Sequence, residues 1–254
     1  AKVEQFQRNI GEVHSWLDST DAALDNAGLV LHRARELMVN VPTDSLTYDD
    51  RQKIVQELKQ LRDSMHDIAN TKVGDKYIFS GTKTGAPLYA RENIDNAYTE
   101  LPGTEPTKYI LNGTEDNCVL RDVRIEVFDG IELQVNTVGH ELFGTLDEKF
   151  NAMIEQIENP DEKAELDTHI ASLDEALNLV LEERAVVGSR QNRAELMDNR
   201  LDLQELSVKK QMSQNEDIDY EVAITDLMTQ ESIHRAALSV GARIIQPTLV
   251  DFLR

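Results

Sequence analysis

The sequence predicts a mainly α protein with a β-rich insert, in which both ends of the chain form a long antiparallel helical bundle rod carrying a small β domain. Three observations lead there. Between Pro160 and Pro247 there is no proline and only two glycines, Gly188 and Gly241, as expected of one long helix or two in series. Near the N-terminus, Phe6, Ile10, Val13, Leu17, Thr20, Leu24, Ala27, Leu31, Ala34 and Met38 fall alternately four and three apart, the seam of a helix packed against partner helices. Between Gly74 and Gly144, eight of the twelve glycines, three of the six prolines and seven of the thirteen aromatics are concentrated, which marks a different kind of structure. The implied divisions are 1–75 and 145–215 for the helices of the rod, 76–144 for the insert, and 216–254 for a terminal helix.

The first helix runs from Ala1 to about Asn40. Thr47 with Asp50 supplies a cap for a second, in which Ile54, Val55, Leu58, Leu61, Met65 and Ile68 mark the apolar face of a helix that ends near Thr71 and is closed by Gly74. The joint is short, so this helix folds back on the first, and the C-terminal helix makes three in the rod. In the insert the clearest element is a hairpin. Val123, Ile125 and Val127 alternate with Arg124 and Glu126, Asp129-Gly130 supplies a tight turn, and Ile131, Leu133 and Val135 alternate again. Weaker strands are Lys76 to Ser80, Tyr109 to Leu111 and Asn117 to Leu120, and 82–107 reads mostly as loop. Thr145 with Glu148 caps a short helix carrying Leu146, Phe150, Met153, Ile154 and Ile157. The long helix then opens at Asn159, with Pro160 in the first helical position and Glu162 in a capping box. Its seam is Leu166, Ile170, Leu173, Leu177, Val180, Val187, Ala194, Met197, Leu201 and Val208.

Composition narrows the function. The formal charge is −21, from 47 acidic against 26 basic residues, so phosphate backbones and anionic membranes are repelled by most of this surface and no nucleic-acid or membrane partner is expected. Cys118 is the single cysteine, which excludes an internal disulfide or a thiolate metal cluster. No apolar run reaches the roughly 18 residues of a membrane span. The chain opens on Ala1, five residues before a seam position, and a preceding segment is expected.

No catalytic constellation emerges, so no catalytic residue, metal or cofactor is assigned. His140-Glu141 begins like a zinc-protease helix, but position 144 is Gly, not the second His such a helix needs. His14, His32, His66, His169 and His234 are scattered among helices and read as surface or interface residues. Gly81-Thr82-Lys83-Thr84-Gly85 opens no helix and reads as a turn. Asp217 and Asp219 lack the glycine and distal glutamate of a calcium loop. Cys118 has no adjacent base, and Asn112-Gly113-Thr114, though a glycosylation triplet, is explained as a turn.

Three stretches resemble the flagellin family: Asp18 to Leu24 followed by Leu31 to Leu37; Gly74 to Thr82; and Glu216 to Leu253, where Glu216-Asp217, Asp219-Tyr220, Gln230, Ala236-Ala237-Leu238, Gln246 and Leu249 to Arg254 carry the likeness. Tyr77-Ile78-Phe79-Ser80-Gly81-Thr82 is similar to the members that join hook to filament. The likeness thins from about Pro87 to Gly139. It implies a structural, non-enzymatic protein, secreted and placed in the extracellular bacterial flagellum. Its implied partners are other copies in a ring, the neighbouring hook-associated junction protein, flagellin and a flagellar export chaperone. Ile233, Ala237, Leu238, Val240, Ile244, Leu249, Phe252 and Leu253 would then face neighbouring helices. Arg33, Arg35, Glu36 and Leu37 match a segment that in flagellins makes lateral subunit contacts and is read by an innate immune receptor; ordinary ion pairing on a helix surface explains the two arginines equally well. A filament subunit, a secreted coiled-coil effector or tip protein, and an enzyme carried on a helical stalk are the alternatives. The helix from Asp217 onward, without a partner for its apolar residues, is expected to hinge near Asn215 to Asp219 and to order on assembly.

Overall fold

A computed structural model of the chain describes residues 2–40, 47–91, 109–111, 121–158, 166–216 and 220–245. In order these form α1 (Lys2–Val39), α2 (Tyr48–Ala69), β1 (Lys72–Val73), β2 (Lys76–Tyr77), β3 (Tyr89–Arg91), β4 (Tyr109–Leu111), β5 (Arg124–Phe128), β6 (Ile131–Gln134), α3 (Gly139–Glu158), α4 (Leu166–Glu216) and α5 (Tyr220–Ile245). Residues Ala1–Asp202 make one compact unit and Leu203–Arg254 a second.

All ten seam residues of α1 are buried, joined by Trp16 and Ala23, which flank the seam. The extra burial reflects neighbours on more than one side. Ion pairs and hydrogen bonds set the directions of those neighbours. Along α1 and α4, Arg35 meets Asp174, Asp25 and Asp21 meet Arg184, and Asp18 meets Gln191, so one number rises as the other falls and the helices are antiparallel. Lys59 with Glu158, Arg62 with Asn151 and His66 with Asp147 give the same relation for α2 and α3. Gln156 with His169, and Lys149 with Ser172 and Glu175, give it for α3 and α4. The first unit is therefore built on four helices in up-down-up-down order rather than the expected three. The added helix is α3, which starts at Gly139 and not at Thr145. Thr145 lies inside it, its hydroxyl donating back to the Glu141 carbonyl at 2.8 Å, so a mid-helix bond took the place of the expected cap.

The second helix opens as its sequence indicates, with Thr47 in extended backbone accepting from the Asp50 N–H. It ends near Thr71 as expected, but the closing residue is Asn70 rather than Gly74, and the Asn70 amide also holds both backbone groups of Tyr89 at 2.9 Å. Gly74 instead forms the β1–β2 turn, with φ of 59°, a left-handed conformation that glycine adopts without strain. Of the strand expected over Lys76 to Ser80, only Lys76 and Tyr77 pair. Ile78, Phe79 and Ser80 are buried outside any strand, and Phe79 meets the Phe143 ring edge-on at 4.9 Å. Within the stretch read as loop, β3 pairs antiparallel with β4. The strand at Asn117 to Leu120 and the cap at Asn159-Pro160-Glu162 lie outside the described residues.

The β5–β6 hairpin forms as expected, turning at Gly130 with φ of 68° and bulging between Glu126 and Phe128. It is not a unit apart from the helices. Val127, Leu133 and Val135 belong to the same buried cluster as Phe6, Val13 and Ala194. Phe128 stacks on Phe6 at 6.1 Å and lies under the Arg200 guanidinium at 4.2 Å, while Asn9 donates to the Glu126 carbonyl at 2.7 Å. Along α1, then, α2 covers the C-terminal half and the hairpin the N-terminal half.

Candidate functional site

In a chain whose expected role is assembly, the candidate site is a surface. On α1, Arg33 reaches α2, where its Nη2 donates to Glu57 at 2.7 Å, and it also bonds Glu36 one turn on. Arg35 reaches α4 and donates from Nε to Asp174 at 2.6 Å. Both guanidinium groups are held above their ordinary range chiefly by those hydrogen bonds to carboxylates. Leu37 is partly buried against the core. Of the four residues grouped by the sequence, three are thus engaged in holding α1 to its neighbours, and Glu36 is the most open. The ion pairs leave Arg33 about half exposed, so the cluster is a clamp within the chain whose outer side stays open to solvent.

In the second unit, α5 carries Ile233 at 63% exposure, Leu238 at 60% and Val240 at 55%, with Ala237 also exposed. These residues do not form one stripe. At about 100° per residue, Val222, Ile233, Ala237 and Val240 share one side of α5. Tyr220, Ile224, Leu227 and Leu238 share the opposite side, and all four are exposed. A helix that is apolar on two sides calls for two neighbours rather than one. The sequence signal for the second stripe is the four-three spacing Tyr220, Ile224, Leu227, continued at Leu238. Ile244 lies in α5, and its side chain is outside the described residues, as are Leu249, Phe252 and Leu253 entirely. On the last turns of α4, Leu203, Leu206, Val208 and Met212 are exposed as well, which takes Val208 off the expected seam.

The histidines correct one expectation. His66 is only 3% exposed, its Nε2 is 2.7 Å from Asp147, and its ring lies 4.4 Å from that of Tyr89. It ties α2, α3 and β3 together instead of facing solvent or a partner. Burial also pushes the Tyr89 hydroxyl well above its ordinary range, with the Asp147 charge adding to the effect. Among the described residues no three His, Cys, Asp or Glu side chains are grouped so as to hold a metal ion, and no helix is long and apolar enough to cross a membrane.

Comparison with known proteins adds an independent line. The bacterial flagellin N-terminal helical region matches residues 1–84, and the bacterial flagellin C-terminal helical region matches residues 170–253. Flagellar hook-associated protein 3 of Escherichia coli (strain K12) is 26% identical over 231 residues, which is 85% of this chain and 71% of that one. Among solved structures, FlgL of Bacillus cereus is similar at 25% identity and a TM-score of 0.59, over 81% of this chain and 92% of that chain. A flagellar hook-associated protein of Vibrio parahaemolyticus is similar at 25% identity and a TM-score of 0.65, over 82% of this chain and 88% of that chain.

Proposed function

Because the chain belongs to the bacterial flagellin family, we propose that it is a structural subunit of the flagellum, forming the junction between hook and filament. The relatives named for hook association cover most of its length, and the two apolar sides of α5 are what an assembling subunit requires. On this reading the protein is not an enzyme and is secreted to the cell exterior. Its neighbours are further copies of itself, the adjoining hook-associated junction protein and flagellin, and an export chaperone covers it beforehand.

The single observation that carries the reading is α5. Burying one large apolar side chain contributes roughly 1.5–3 kcal/mol, and the exposed residues of its two stripes represent several such contributions waiting for helices to pack against. Ile233, Ala237, Leu238, Val240, Ile244, Leu249, Phe252 and Leu253 supply that contact, and Arg33, Arg35, Glu36 and Leu37 supply a lateral one. The test is to add the purified chain to isolated hooks that lack junction proteins, with and without the adjoining junction protein, and then to supply flagellin. Hook ends decorated by the chain, from which filaments then grow, are the expected result. Filaments built from the chain alone would favour a filament subunit, and an absence of any hook binding would overturn the reading.

A further inference from the structure

One recess in the first unit is lined by three carboxylates and a single cation. About 400 Å³ in volume, it opens between the start of α3, the strand end leading into it and the middle of α4. Its walls present Glu141, Glu182 and Glu183, and its floor includes the apolar Leu142 and Leu179. Arg190 is the one cation on the lining, and its Nη1 is already donated to the Asn136 carbonyl at 2.7 Å. Thr137 also lines the recess; it is 2% exposed, and its buried Oγ1 has no hydrogen-bond partner among the described residues. None of the three glutamates has a cation within salt-bridge distance among the described residues.

We propose that this recess receives the basic side chain, arginine or lysine, of a neighbouring copy of this chain when the junction assembles. This rests on the assembly role proposed above and gives it a specific lateral contact. Three carboxylates against one committed guanidinium leave the site negative by two charges, which selects a cation. The half-buried position of Glu183 makes the selection stronger: burial pushes its carboxyl above the ordinary range and Glu141 adds repulsion, although Arg190 pulls it back. Leu142, Leu179 and Val186 offer apolar surface along which the methylenes of a long basic side chain lie while its charged head meets the glutamates. Thr137 Oγ1 is a spare acceptor at the wall. The chain also presents suitable groups: Arg8 is exposed, and its guanidinium is bonded to the neutral amide of Gln5 at 2.6 Å rather than to a carboxylate. A recess on one copy that takes a side chain from a different surface of the next gives a head-to-tail contact, the kind that closes into rings.

The test uses the full chain and two readouts of opposite sign. Removing a half-buried charge that burial disfavours and neighbouring carboxylates repel favours the isolated chain, so Glu183→Gln should raise its Tm. The same substitution, alone and with Glu182→Gln, should weaken binding of successive copies at hook ends by about tenfold or more, because the surplus of two negative charges that draws the arriving cation falls to one and then to none. A photo-crosslinker in place of Val186 should capture, in assembled junctions, an Arg- or Lys-containing peptide of the same chain. Unchanged assembly of the glutamine variants, a lowered Tm, or a crosslink to a different flagellar component each overturns the proposal while wild-type decoration of hooks stands. Failure of the wild-type chain itself to decorate hooks overturns the assembly role, and this contact with it.

Discussion

At Gly139 the packing leaves no room for even one methyl group. A Cβ there would lie 2.5 Å from the Phe79 Cβ and 2.7 Å from the Phe79 carbonyl oxygen, and backbone cannot swing aside as a flexible side chain would. Gly139→Ala is therefore expected to lower stability by about 1–3 kcal/mol, read as a shift in the urea midpoint. Gly188 in α4 has nothing within 4 Å of the same position, so Gly188→Ala should instead gain about 0.5–1 kcal/mol from helix propensity. The protonation of two carboxylates divides in the same way. The Thr47 hydroxyl, 2.6 Å away, holds the Asp50 carboxyl below its ordinary range. A depressed carboxyl contributes stability above its unfolded pKa and loses it as pH falls through the folded one, so hydrogen exchange at the start of α2 should quicken below the usual carboxylate range. Glu183 has the opposite sign. Its folded pKa is raised by burial, so its stabilising effect is present at low pH and lost as pH rises through that value; Glu183→Gln should flatten that part of the stability profile. Of these residues only the Thr47 cap was legible in the sequence, since capping is a local pattern. Gly139, Glu183 and buried His66 depend on what lies across from them, and nothing in their own neighbourhoods records it.

Among the elements, the hairpin decides how the bundle is completed. Excision of 84–138 removes Leu88, Tyr89, Val127, Leu133 and Val135, all fully or nearly buried. At roughly 1.5–3 kcal/mol each that loss rivals the 5–15 kcal/mol by which whole domains are held, so the shortened chain should lose cooperative unfolding in circular dichroism. A variant that kept its cooperative transition would show that α1 and α4 suffice. The milder Phe128→Ala, which removes one half-buried ring between Phe6 and Arg200, should cost about 2 kcal/mol. Element identity was legible wherever a period was long. The α1 seam predicted ten burials, and all ten occur; the alternation around Asp129-Gly130 predicted a hairpin that is there. What could not be read was ownership. Composition separated the hairpin from the helices because glycine and aromatics report local conformation, whereas the pairing of Phe128 with Phe6 spans more than a hundred residues. The helix α3 was read as short for a related reason: its first turn, Gly139 to Leu142, carries no capping residue.

For the molecule as a whole, charge and exposed apolar surface act against each other. Copies that each carry −21 repel, while α5 attracts them, so raising salt from about 0.05 M to about 0.3 M should promote self-association by screening the first without weakening the second. Fast hydrogen exchange along α5 in the isolated chain, slowing on decorated hooks, is the accompanying expectation; equal protection in both states would mean that α5 is already covered. The up-down-up-down arrangement has a further consequence, for the order in which the structure can be made. Arg33 finds Glu57 only 24 residues away, but Asn9 must wait 117 residues for Glu126, and Asp21 must wait 163 for Arg184. Closing each longer loop costs more entropy and takes longer. A chain emerging from its N-terminus can thus pair the far end of α1 with α2 at once, while the end holding Phe6, Val13 and Trp16 stays bare until most of the polypeptide exists. Trp16 is the sole tryptophan and 1% exposed when folded, so its fluorescence will time that late closure. In refolding, its blue shift should lag the first rise in helicity, and the interval between them measures how long a newly made copy is open to capture by a chaperone or to sticking to its neighbours.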